Sequence, residues 1–219
     1  MIAVVLPTRG YVYTQVQAAI EKMRHGPNII KVFYSHDKGL PEAQNYLVEQ
    51  ALKEKPSHIL FIEEDTVPPP SALQNLLDAK ADIACIDYAV NGHSCVARNK
   101  VTNEILWCGF GCTLVNRNVL EELPKPWFRT DKTLRLNDWQ WIDTPAKYGG
   151  QDIWFCMKAR ENGFLIKQVR GECNHLMTVV QGATGTNNGT HHIASRERII
   201  HKQVIDVPES YGTIERAVI

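Results

Sequence analysis

The sequence predicts an α/β protein, a single-domain three-layer α/β/α sandwich with a mainly parallel central sheet. Three observations carry that expectation. Short apolar, β-branched runs alternate with segments of amphipathic helical spacing through the N-terminal third of the chain. Each run gives way to a short polar loop, and in open α/β sheets the carboxyl ends of the strands are where ligands bind. The third run, Ile59 to Ile62, stops abruptly in Glu63-Glu64-Asp65 and, after Thr66-Val67, in Pro68-Pro69-Pro70. Proline lacks a backbone donor and fixes φ, so a strand cannot continue through it.

Ile2 to Leu6 reads as the first buried strand, closed by Pro7, with Pro7-Thr8-Arg9-Gly10 as a turn. Tyr11 to Met23 carries Val12, Val16, Ala19, Ile20 and Met23 at helical spacing. Gly26-Pro27-Asn28 ends that helix, Ile29 to Tyr34 is a second strand, and Ser35 to Gly39 is a polar loop. Pro41 to Lys55 is a second helix with its proline in the tolerated first turn, and Ile59 to Ile62 is the third strand. Strand–helix–strand–helix–strand with short loops is a right-handed parallel unit.

Beyond the acids, Pro70 to Asp78 reads as a short helix and Asp82 to Ile86 as a strand. Residues 88–107 have little periodicity and predict a long loop or an irregular hairpin. Leu106 to Val115 is apolar with two glycines, Gly109 and Gly111, and predicts a strand interrupted where something approaches the backbone. Asn116 to Leu123 is a brief helix, whereas Pro124 to Thr144 shows no period despite Trp127, Trp139 and Trp141. Gly149-Gly150-Gln151-Asp152 opens a helix, Ile153 to Asn162, with Gly163 at C′. Leu165 to Val169 is a strand, Gln181 to His192 a polar loop with Gly182 to Gly185 as a candidate lid, and Ala194 to Val204 a last charged helix. Without repeats or a low-complexity linker, 1–219 is expected to be one domain. Its nucleotide-binding half spans about 1–87 and its acceptor and catalytic half about 88–219.

Hydrophobic residues make up 44% of the 219, and 24 basic residues balance 24 acidic ones. That balance gives no long-range steering towards nucleic acid. No run approaches the ~20 apolar residues of a membrane span, and Met1-Ile2-Ala3-Val4 lacks a basic leader, so the expected location is the cytoplasm. The six cysteines are scattered in apolar sequence. Cys108 and Cys112 have zinc-like spacing, but no second pair matches it, and buried reduced thiols are the expectation.

Three like charges in a row repel unless a cation sits among them, and hard divalent ions take oxygen ligands. The alternative is a solvated acidic turn. In order along the chain the motifs resemble those of GT-A fold glycosyltransferases, closest to family 2 and to small bacteriophage-encoded members. The likeness runs over roughly residues 2–176. Pro7-Thr8-Arg9 resembles the first-strand loop that touches the nucleotide, and Asp37 lies where an acid meets uracil or ribose. Ala43-Gln44-Asn45 resembles Ala-Arg-Asn, with Gln for Arg. Glu63-Glu64-Asp65 occupies the DxD position with Glu first. Gly109-Phe110-Gly111-Cys112 resembles the strand beside the donor sugar. Gly150-Gln151-Asp152-Ile153-Trp154-Phe155-Cys156 resembles the segment carrying the catalytic base, with Gln for Glu, and His175 matches the histidine that completes the metal site.

The resemblance implies a metal-dependent, inverting transfer of a sugar from a nucleoside diphosphate, UDP foremost, to an acceptor hydroxyl. Asp65 and His175, with Glu63, would hold Mn2+ or Mg2+. Pro7, Thr8, Arg9, Asp37, Asn45, Glu64, Gly109 and Gly111 would line the donor. Asp152 would be the general base, although an aspartate at a helix start is often only a cap. The acceptor is open among a modified DNA base, a glycan and a protein, and the oligomeric state is open too. A nucleotidyltransferase would need a basic glycine-rich phosphate loop that Pro-Thr-Arg-Gly-Tyr is too short to form. A non-catalytic sugar-nucleotide or carbohydrate-binding module is the other alternative. A dinucleotide oxidoreductase is excluded by the absence of Gly-x-Gly-x-x-Gly in the first turn.

Overall fold

The computed structural model describes residues 1–24, 26, 28, 30–144, 150–180 and 191–208, with backbone alone at 177–180 and 191–196. The N-terminal part runs β1 (Ile2–Pro7), α1 (Thr14–Arg24), β2 (Ile30–Ser35), α2 (Glu42–Lys53), β3 (His58–Ile62), β4 (Thr66–Val67), α3 (Ala72–Asp78) and β5 (Ile83–Asp87). The middle adds β6 (Ala89–Val90), β7 (His93–Asn99), β8 (Ile105–Cys108), β9 (Cys112–Asn116), α4 (Arg117–Glu122), β10 (Lys132–Arg135) and β11 (Gln140–Asp143). Then come α5 (Gln151–Glu161), β12 (Ile166–Glu172), β13 (Asn174–Val180), β14 (His191–Arg196) and β15 (His201–Ile205).

The central sheet has the order β12-β5-β9-β3-β1-β2. Its pairs are parallel except those made by β9, which is antiparallel to both β3 and β5. Strands buried on both faces need apolar residues throughout, which is why β1 and β3 read as unbroken apolar runs. Alternation then deals them to two cores. Ala3, Val5, Ile59 and Phe61 pack against Leu47, Val48 and Ala51 of α2 and Phe155 and Met157 of α5. Val4, Leu6, Leu60 and Ile62 pack against Val16 and Ile20 of α1 and Leu73 and Leu76 of α3. The result is the expected α/β/α sandwich with a mainly parallel central sheet.

One of the two forms expected for residues 88–107 is met, and two later stretches differ from the sequence expectation. Residues 88–107 form β6, β7 and β8, a hairpin with a register shift between Ala97 and Arg98. The stretch from Pro124 to Thr144 contains the antiparallel hairpin β10–β11, with Leu134 opposite Trp141. The charged helix expected over Ala194 to Val204 is not a helix: β14 ends at Arg196 and β15 begins at His201. Charges such as Glu197, Arg198 and Lys202 had suggested a solvated helix. The β-branched Ile193, Val204 and Ile205 favour strands, and two open edges were on offer, β13 for β14 and β7 for β15. Cys108 and Cys112 fall into the two different cores. Cys108 Sγ lies 4.0 Å from Cys156 Sγ, so the pair with zinc-like spacing does not converge. Among the described residues no helix is long and apolar enough to cross a membrane.

Four phenylalanines knit the layers beneath the sheet's carboxyl edge. Phe110 meets Phe61, Phe128 and Phe155 edge-on at 4.8, 5.1 and 5.1 Å between centroids. Phe128 stacks on Phe155 at 5.0 Å. The Asn45 side chain clamps Phe128 from α2, donating to its carbonyl at 2.9 Å and accepting from its N–H at 3.2 Å. All four rings are essentially closed to solvent. Truncating Phe128 to alanine is expected to cost about 3–5 kcal/mol in equilibrium urea unfolding. Leu165→Ala, at a side chain 62% exposed, should stay within about 0.5 kcal/mol of the parent.

Candidate active site

The acids at the end of β3 are each disposed of differently. Glu64 is 4% exposed and turns inward. It accepts from the Arg9 backbone N–H at 2.6 Å and from the Arg9 Nε, while its carbonyl accepts from the Tyr13 N–H at 3.1 Å. The loop after β1 is thereby tied to the acidic turn. Thr8 braces the same loop, donating its N–H to Ser35 and accepting from the Gly10 N–H at Oγ1. Pro7 is in register with Ser35 at the end of β1. The Arg9 guanidinium continues to Asp65, with Nη2 3.2 Å from Oδ2.

Asp65 is met on its other side by His175. β13 pairs antiparallel with β4, setting His175 opposite Thr66, and the Leu176 N–H donates to the Asp65 carbonyl at 2.8 Å. His175 Nε2 lies 3.6 Å from Asp65 Oδ1, and Nδ1 lies 3.1 Å from Glu197 Oε2. Among the described residues no three His, Cys, Asp or Glu side chains form a ready-made metal cage. A carboxylate beside an imidazole whose second nitrogen faces another carboxylate does suit Mn2+ or Mg2+. Such ions are held by one or two protein ligands completed by phosphate oxygens and water.

Glu63 accepts from the Tyr88 hydroxyl at 3.2 Å, and that hydroxyl accepts from the Gly111 N–H at 3.2 Å. Here the structure changes the meaning of the two glycines. A Cβ on Gly111 would stand 2.8 Å from the Tyr88 ring and 2.9 Å from Thr66 Oγ1, and one on Gly109 would overlap the Tyr88 hydroxyl. The room that a Cβ would need at either glycine is taken by Tyr88.

Asp152 sits in the first turn of α5, behind Gly150 at φ 82°. Its Oδ2 accepts from the Phe110 N–H at 3.3 Å, across the gap to the β8–β9 turn, so its carboxylate is not spent capping its own helix. Its Oδ1 is buried without a hydrogen-bond partner among the described residues, and so is Gln44 Oε1. Burial first, and the nearby Cys108 second, push the Asp152 carboxyl up to about 7, with the Phe110 N–H and the Gln44 side chain opposing. Burial, then Asp152, then Asp65 push Glu63 up to about 8. Glu63 is thus under the influence of both Asp152 and Asp65.

Other expected residues lie elsewhere or are engaged. Asp37 is on the exposed loop after β2, its carboxylate 3.7 Å from Lys38 Nζ. Asn45 has its amide occupied by Phe128, so it supports the site's floor. Trp107, Trp127 and Trp139 are buried, and Trp127 donates to the Leu120 carbonyl. Trp141 is partly open and packs edge-on against Trp154 at 4.8 Å. Gly149 and the candidate lid, Gly182 to Gly185, lie outside the described residues. The sequence did not single out Tyr88, Gln44 as a neighbour of Asp152, or Glu197. Only Gln44 left a signal, as a departure within Ala43-Gln44-Asn45.

No protein-family model matches the sequence, and no curated protein matches it. Among solved structures the chain is similar to A197 from STIV, with a TM-score of 0.59 and 16% identity over 81% of this chain and 85% of that one. That likeness is one of fold. Looser likenesses are to a glycosyltransferase involved in the glycosylation of the major capsid of PBCV-1 (TM-score 0.35, 13% identity, 55% of this chain and 62% of that one) and to the inositol-1-phosphate CTP transferase from T. maritima (TM-score 0.42, 16% identity, 77% and 84%). At those scores they carry no functional weight.

The two raised carboxyls predict a pH dependence. Glu63 rises from 4.5 to about 8 and Asp152 from 3.8 to about 7. Between the lower and the upper value the native state holds a proton that the unfolded state has released. Their stabilising contribution is therefore complete below the lower values and is lost as pH rises through the upper ones. Urea midpoints in EDTA at pH 5 and pH 8 should differ less for Glu63→Gln than for the parent. Equal differences would place Glu63 in an ordinary, solvated setting.

Proposed function

We propose that this chain is a metal-dependent, inverting glycosyltransferase that moves a hexosyl group from a nucleoside-diphosphate sugar, a UDP-sugar foremost, to an acceptor hydroxyl. The observation that carries the reading is Asp152. It is a desolvated carboxylate with one oxygen anchored by the Phe110 N–H and the other without a hydrogen-bond partner among the described residues, beside a strand end crowded with acids. A general base needs that combination, fixed in place and with a proton affinity near neutrality.

Asp65 and His175 Nε2, with Glu63 adjacent, would hold Mn2+ or Mg2+, which when bound supplies charge neutralisation at the diphosphate as a Lewis acid and template. The exposed Arg9 guanidinium, already at this edge, adds a second positive charge for the departing phosphates. Pro7 and Thr8 set the position of that loop, and Asp37, on the loop after the neighbouring β2, would meet the nucleobase or ribose. Asp152 takes the proton of the acceptor hydroxyl as the new oxygen–C1 bond forms. The C1–O bond to the diphosphate breaks, and the nucleotide leaves with the electron pair. Attack opposite the leaving group inverts C1. A nucleotidyltransferase is less well supported, because the loop after β1, Pro7-Thr8-Arg9-Gly10, is too short to open as a glycine-rich phosphate cradle.

Asp152→Asn keeps the size and an acceptor for the Phe110 N–H and removes the basicity. Transfer at saturating donor, or slow donor hydrolysis until an acceptor is found, should fall roughly 10²–10⁴-fold. Melting temperature and Mn2+-dependent UDP affinity should be retained. Near-parental turnover would end the base assignment. Asp65→Asn is expected to abolish Mn2+-dependent UDP binding in calorimetry with the fold intact, and an unchanged affinity would remove Asp65 from the metal site.

A further inference from the structure

His175 is held from behind by a residue at the far end of the chain. Its Nδ1 lies 3.1 Å from Glu197 Oε2, and its Nε2 faces Asp65 Oδ1 at 3.6 Å. The Glu197 carboxylate is itself fixed, since both oxygens accept from the Asn91 N–H at 3.1 Å. Its backbone N–H donates to the His175 carbonyl at 3.3 Å. The segment after it is pinned as well, with the Ile200 and His201 N–H groups donating to the Gly92 carbonyl at 2.8 and 3.0 Å. The side chain is 10% exposed, so this is a buried contact and not a surface pair.

A carboxylate accepts and does not donate, and of the two that flank the ring only Glu197, at 3.1 Å, is within hydrogen-bond reach, Asp65 standing at 3.6 Å, so the imidazole hydrogen belongs on Nδ1 and the lone pair on Nε2. We propose that Glu197 is a positioning residue, which fixes the tautomer and ring orientation of His175 so that Nε2 and Asp65 are presented together to a divalent cation. The inference rests on the reading of Asp65 and His175 as the ligand pair. A carboxylate behind a ligating imidazole locks the ring and raises its basicity as a ligand. It also gives the C-terminal strands a task. β15 and the turn between β6 and β7 hold Glu197, and Glu197 holds the histidine.

Two measurements separate this role from a merely structural one. In metal-free protein, long-range ¹H–¹⁵N spectra of the His175 ring should show the Nδ1–H tautomer in the parent. Glu197→Ala should show a mixture, or the Nε2–H form. Mn2+ affinity in the presence of UDP, followed by the free-ion electron paramagnetic resonance signal, should weaken roughly ten- to a hundredfold in Glu197→Ala. Glu197→Gln retains an acceptor and should fall between the two while keeping the parental melting temperature, which covers the case of an alanine variant that does not fold. An Nδ1–H tautomer that persists in a folded variant, or Mn2+ binding at parental strength, overturns the proposal. If the parent itself fails to bind Mn2+ with UDP, the proposed function fails instead, and the metal-free spectra still decide whether Glu197 sets the tautomer.

Discussion

Negative charge confined at one strand end is the constraint on which the rest of this structure depends. Two unit charges about 4 Å apart repel by roughly 4 kcal/mol at an effective dielectric near 20. β3 delivers three acids in succession, and α5 brings a fourth. Each is accommodated separately. Glu64 is neutralised by Arg9, Asp65 is flanked by Arg9 and His175, Glu63 is hydrogen-bonded by Tyr88 and held towards its protonated form, and Asp152 accepts from Phe110. Much of the local architecture follows from these solutions. The β1 loop curls back because Glu64 needs Arg9. Gly109 and Gly111 lack side chains because Tyr88 needs their space. β13 pairs with β4 because His175 must reach Asp65.

Such crowding is held in place by apolar packing from below. Phe61 belongs to the strand that carries the acids, Phe110 to the turn that anchors Asp152, and Phe155 to the helix that bears it. Their mutual contacts, with Phe128 clamped by Asn45, fix the spacing between Asp152 and the acids of β3. Preorganisation of this kind lets a site keep carboxyl groups in unfavourable surroundings, where they are most responsive to a bound cation.

The first five elements and the acidic strand end were legible in the sequence because their signals are local. Apolar runs, helical spacing and the three prolines each act within a few residues. The Asp152 helix and its Gly163 terminus were legible for the same reason. What escaped is long-range. Nothing near Tyr88 announces that its hydroxyl reaches Glu63, and the two glycines that accommodate it read equally well as space for a ligand. Glu197 lies in a stretch whose charges suggest a helix, whereas its fold is decided by strand edges contributed from elsewhere in the chain, β13 about twenty positions earlier for β14 and β7 about a hundred positions earlier for β15. The four-residue strands of the β10–β11 hairpin are too short to show a period, with Leu134 the buried side chain of its strand.

The central claim is that this acidic cluster is a site for a divalent cation and a nucleoside diphosphate together. Calorimetric titration of UDP at pH 7, with Mn2+ or with EDTA and in two buffers of different ionisation enthalpy, tests it most directly. A cation among Glu63, Asp65 and His175 must lower the proton affinity of the neighbouring carboxyls, and binding must then release protons to the buffer. The account predicts UDP binding with Mn2+ alone, accompanied by net proton release. UDP binding of equal strength in EDTA, or Mn2+-dependent binding with no proton released, would contradict it.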